Sequence, residues 1–118
     1  MRDELVIEST AKMAAKKGFK GSIPMKNLVT QEGVLWLPTQ SGLQRWLREK
    51  HERHIEVKVE SYVEKPLYYY SVFGRYKDHK LIICLVNSGD RGSIEKFDTY
   101  EKALEVALFY TLNQLEDV

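Results

Sequence analysis

Between His54 and Glu60, apolar and polar residues alternate with a period of two. Ile55, Val57 and Val59 fall on one side, and Glu56, Lys58 and Glu60 on the other. This is the pattern of a half-buried strand. "LYYYSVFGRY", residues 67–76, reads as a second strand rich in aromatic residues. "KLIICLVNS", residues 80–88, is apolar at successive positions, which predicts a third strand, central or covered on both faces. "EKP" and "KDH" supply the turns between them. Within the second strand, if Leu67, Tyr69 and Phe73 face the core, Tyr68 and Tyr70 face outward.

On either side of these strands the spacing becomes helical. Leu43, Trp46 and Leu47 stand at i, i+3 and i+4 after Pro38. Thr39 is the expected N-cap, with Ser41 and Gln44 an alternative capping box. Near the end of the chain, Leu104, Leu108, Leu112 and Leu115 line one face, with Ala103 and Ala107 beside them. That spacing predicts an amphipathic helix over 99–115, started by Asp98 with Glu101. A first helix is expected over 9–17, capped by Ser9 or Thr10, with Lys16 and Lys17 in its last turn and Gly18 as its left-handed stop. "GSIPMKNLVTQEGVLWLP", residues 21–38, suggests a small hairpin turning at "TQEG". "IEKF", residues 94–97, suggests a short edge strand, and "NSGDRGS" before it a polar loop.

The order is α-β-β-β-α over 38–116, preceded by a helix and a possible short hairpin over 1–37. The expected class is α+β: an antiparallel three-stranded sheet packed against helices, in a single domain over 1–118 with the first 37 residues as an appendage. A chain of 118 residues suits one domain. Hydrophobic residues make up 43% and charged ones 30%, a globular mixture. The net charge of +1 gives no bulk attraction to nucleic acid or to a membrane. The single cysteine, Cys84, cannot form an internal disulfide, which fits a reducing cytoplasm. No stretch approaches the ~20 apolar residues of a membrane span.

Two fragments carry a resemblance. "ESTAKMAAKKGF" looks like the opening, and "LPTQSGLQRWLREKH" followed by "FDTYEKALEVAL" like the core, of small uncharacterised proteins of Bacteroides-type phages and integrated mobile elements. The resemblance implies a mobile-element setting in a bacterial host cell and no particular chemistry. A second likeness is topological. Double-stranded RNA-binding domains share the α-β-β-β-α order but place a lysine cluster at the start of the second helix. Here that place reads "TYEKALE", with Lys102 between Glu101 and Glu105.

The candidate sites follow from these elements. Outward tyrosines at 68 and 70 could anchor a protein interface or stack a base. Lys12, Lys16, Lys17 and Lys20 form the densest basic cluster, and Arg45 and Arg48 flank the apolar face of the second helix. These cations could meet phosphates. Equally, Arg45 precedes Glu49 by four residues and Arg48 precedes Glu52 by four, a spacing that pairs charges along one helix. His51 and His54 lie three apart, but a metal would need further ligands, and only His79 and Cys84 offer nitrogen or sulfur. Cys84 sits in "LIICLV", where an inert core thiol is expected. No phosphate loop, serine elbow or metal-ligand spacing appears, so no catalytic residue, cofactor or metal is assigned. The expected function is therefore a small non-enzymatic binding or accessory protein of a phage or mobile element. It would act through a protein partner, as a monomer or homodimer. A nucleic-acid-binding module is the alternative.

Overall fold

A computed structural model of the chain describes residues 5–19, 25–30, 33–60, 64–75, 82–87 and 96–116, with the backbone alone at 25–30, 33–36 and 60. The elements run α1 (Glu8–Lys16), β1 (Met25–Thr30), β2 (Gly33–Pro38), α2 (Gln40–His51), β3 (His54–Glu60), β4 (Leu67–Gly74), β5 (Ile83–Asn87) and α3 (Tyr100–Asn113). The class is α+β, with an antiparallel three-stranded sheet packed on helices. β1 and β2 form the expected hairpin, with Thr30 opposite Gly33. Its turn residues Gln31 and Glu32 lie outside the described residues, as do Lys20, His79 and positions 88–95 of the expected polar loop and edge strand.

The three-stranded sheet is ordered β3-β4-β5. Among the described strands β5 therefore lies at an edge and is not central, and both its first residues and the Cys84 thiol are exposed. A continuous apolar run fits a buried strand, but periodicity alone does not place it within a sheet. β4 is central instead. Its partner on the β5 side continues beyond β5 as a single bridge between Tyr68 and Phe97, where an edge strand was expected.

The phase of β4 also differs from expectation. Ile55 stands opposite Val72, Val57 opposite Tyr70 and Val59 opposite Tyr68. Tyr68 and Tyr70 thus share the face of Ile55 and Val57, beneath the helices. Tyr70 is buried and packs near Phe97, while the half-buried Tyr68 meets Tyr100 edge to face at 6.3 Å. Both alternating sets of β4 are apolar, so the strand by itself does not choose a face. Pairing with the clear alternation of β3 chooses it, because a slip of one residue inverts every side chain.

The core is made by Leu43 and Leu47 of α2, Leu104, Ala107, Leu108 and Leu112 of α3, and Ile55, Tyr70 and Val72 of the sheet. Fully burying each leucine contributes at most about 1.5–3 kcal/mol. α1 belongs to the same core through Val6, Ala11, Ala14 and Phe19, and it packs on α3. Phe19 closes the far side by meeting Trp46 of α2 edge to face at 5.3 Å.

The helix ends explain their own positions. Thr39 caps α2 as expected, its hydroxyl accepting from the Gly42 amide at 3.1 Å. α3 is capped by Thr99, which accepts from the Lys102 amide at 3.1 Å, and not by Asp98. Asp98 instead pairs with Lys102 at 3.1 Å. α1 starts one residue early on Ile7, without a side-chain cap, so neither Ser9 nor Thr10 serves as one. Gly18 provides the left-handed stop with φ of 99°.

Candidate functional site

α1 and α3 lie side by side, and the start of α1 is held by a side chain of α3. Glu105 accepts from the Ile7 amide at 3.3 Å through one carboxylate oxygen. Its other oxygen accepts from Gln40 Nε2 at 3.2 Å, and Gln40 also donates to the Glu101 carbonyl at 2.9 Å. Glu105 therefore stands at the N-termini of both α1 and α2, where the helix dipoles favour an anion. This junction ties the start of α1 to α3.

Between them a groove of about 430 Å³ opens to solvent. Ile7, Ser9 and Thr10 line it from α1, and Val106, Phe109, Tyr110 and Asn113 from α3, with Glu105 at one end. Tyr70 of β4 forms part of its lining from the sheet. Ile7, Phe109 and Tyr110 are among the most exposed large apolar residues described, Ile7 at 57%. The volume and the mostly apolar lining, with a few polar groups, match a binding cavity. Thr10 adds a feature of its own. Its side chain is 0% exposed and its hydroxyl has no hydrogen-bond partner among the described residues. Buried hydroxyls are nearly always paired, so this one is an exception among the described residues.

No protein-family model, curated protein or solved structure matches this chain.

Of the two tyrosines expected to face outward, Tyr70 reaches the groove from inside the fold and Tyr68 does not line it. The basic residues are dispersed. Lys12 pairs with Glu8 at 3.3 Å. Lys17 is buried, and its ammonium donates to the Leu115 carbonyl, tying the end of α1 to the segment after α3. Arg45 binds Glu49 at 2.8 Å, the expected i,i+4 pair. The hydrogen bond and charge of Arg45 hold the Glu49 carboxyl below its usual range, and Glu49 raises Arg45 in turn. Arg48 does not meet Glu52, because Glu52 leaves the helix in a left-handed conformation with φ of 51° and pairs with Arg75. Lys16 and Arg48 remain exposed on different helices.

His51 lies in the last turn of α2 with its ring 4.7 Å from that of Trp46. Burial, with the nearby Arg53 charge, lowers its pKa. Among the described residues, no three His, Cys, Asp or Glu side chains are grouped to hold a metal ion. No described helix is long and apolar enough to cross a membrane.

Sequence reasoning missed Thr10, Gln40, Glu105, Phe109 and Tyr110. For the last two a signal existed. Val106, Phe109 and Tyr110 fall at i, i+3 and i+4 and form a second stripe beside the leucines. An apolar pair off the core-facing stripe of an amphipathic helix has no neighbour to bury it within that helix pattern.

Proposed function

We propose that this chain is a small non-enzymatic binding or accessory protein that acts through a protein partner. The partner seats an apolar or aromatic side chain in the groove between α1 and α3. The observation that carries this reading is the continuity of Ile7, Phe109 and Tyr110 around one cavity. Exposed apolar residues scattered singly need no explanation, but a contiguous set lining a concavity marks a contact surface. Phenylalanine and tyrosine at such a site supply large contact area for little conformational entropy. The Glu105 carboxylate favours a segment with a hydrogen-bond donor or a cation there, and disfavours an acidic one. The groove offers shape, apolar surface and a hydroxyl, with no nucleophile paired to a base within it, and this supports binding over catalysis. The resemblance to mobile-element proteins suggests a phage or integrated-element setting, in the cytoplasm of a bacterial host.

The test compares the wild type with Phe109→Ser/Tyr110→Ser in quantitative pull-downs from host lysate, after circular dichroism has confirmed that both are folded. A partner recovered by the wild type and lost by the double variant supports the groove. The same partner recovered equally by both removes it. A small molecule co-purifying with the wild type alone would replace the protein partner with an amphipathic ligand.

A further inference from the structure

Among the described residues no strand pairs with the outer side of β3, and two contacts show how its backbone groups point. The Tyr68 amide donates to the Phe97 carbonyl at 2.7 Å, and the Tyr68 carbonyl accepts from the Phe97 amide at 2.8 Å. Both groups therefore point away from β3. Tyr68 stands opposite Val59, so the two form a non-hydrogen-bonded pair, and the N–H and C=O of Val59 point out of the sheet. Alternation along the strand gives Val57 and Ile55 the same direction. Independently, Gln44 Nε2 donates to the Ile55 carbonyl at 2.9 Å, which it can do only from outside the ladder.

We propose that β3 pairs antiparallel with β3 of a second copy of this chain, about a two-fold axis at Val57. Three central registers would place outward-directed residues against each other, with the axis at Glu56, Val57 or Lys58. An axis at Glu56 sets that carboxylate against itself, and one at Lys58 sets two ammonium groups together. With the axis at Val57, Glu56 of each copy faces Lys58 of the other, so the attraction occurs twice. Opposite charges directly across a ladder stabilise it and like charges oppose it. Val57 is also the middle residue of His54–Glu60, so this register alone pairs the strand over its whole length. Val59, which is 53% exposed, then meets Ile55 of the second copy. Gln44 does not block the ladder, because a carbonyl oxygen accepts two hydrogen bonds. The contact is isologous and closes at two copies. It also covers an edge that would otherwise offer itself to any strand.

The experiment is sedimentation of the full chain from about 5 to about 500 µM, the range of a weak, small interface. The wild type is expected to move reversibly from monomer to dimer. Lys58→Glu alone and Glu56→Lys alone each set like charges across the axis, and each should weaken association by about tenfold or more. An equimolar mixture of the two restores complementarity in the heterodimer, and should associate as the wild type does. The mixture also controls for loss of the Lys58 contact over the Phe73 ring. A wild type that stays monomeric throughout overturns the proposal. So do single variants that dimerise unchanged, and a mixture that fails to recover. Phe109→Ser/Tyr110→Ser should dimerise normally, which separates this edge from the groove.

Discussion

Two buried threonines with opposite surroundings allow the groove geometry to be tested by stability alone. Thr10 in α1 and Thr111 in α3 are both buried, and valine is nearly isosteric with threonine and has a similar helix propensity. Thr10 has no partner for its hydroxyl among the described residues. Leaving such a group unsatisfied costs about 1–3 kcal/mol, and Thr10→Val removes that cost while adding a buried methyl. The expected result is stabilisation by about 1–2 kcal/mol, or ~4–8 °C in Tm for a chain of this size. The Thr111 hydroxyl donates to the Ala107 carbonyl at 2.7 Å. Thr111→Val loses a hydrogen bond worth about 0.5–1.5 kcal/mol, partly offset by the new methyl, so it should be neutral to slightly destabilising. The assay is urea unfolding followed by tryptophan fluorescence, with the midpoint compared at constant slope. A loss of stability in Thr10→Val equal to that in Thr111→Val would mean that the Thr10 hydroxyl is already satisfied, and would refute the reasoning.

Gln40→Ala removes both bonds from α2 to α3 and should cost about 1–3 kcal/mol in urea unfolding; an unchanged midpoint would show that Glu105 alone holds the junction. Gly74→Ala puts a Cβ 2.9 Å from the Arg53 guanidinium and 3.0 Å from the Glu52 carbonyl oxygen. Arg53 can swing aside but the backbone carbonyl cannot, so a loss of about 1–2 kcal/mol is expected, and Arg53→Ala in the same chain should recover only part of it. The lowered pKa of His51 means that the unfolded chain takes up its proton first as pH falls. His51 therefore costs nothing while neutral in both states, and stability should decline as pH drops through its unfolded value of 6.5 towards the folded one. Urea midpoints at about pH 7.5 and about pH 5.5 should differ more in the wild type than in His51→Gln, and equal differences would remove His51 as a cause.

Sequence periodicity determined the parts of this protein whose cause is local. The alternation in β3 and the leucine spacing in α3 each match one secondary structure, and Thr39 and Gly18 carry their helix ends in their own chemistry. The α+β class follows from the order of those elements. Where a segment offered two equal readings, the tertiary structure decided. β4 is apolar on both faces, so only its register against β3 puts Tyr70 inside. β5 is as apolar as a central strand, yet it lies at an edge, because the hydrogen-bonding order of a sheet is a non-local property. The groove has the same origin. Glu105 reads in sequence as one more acid on a helix surface, and Thr10 as a possible cap. Packing α1 against α3 makes the first a junction for two helix N-termini and buries the second with no partner among the described residues. The groove is a meeting of residues distant in sequence, from Ile7 to Asn113, and the physical quantity that defines it, apolar area left uncovered between two packed elements, comes into existence only when they pack.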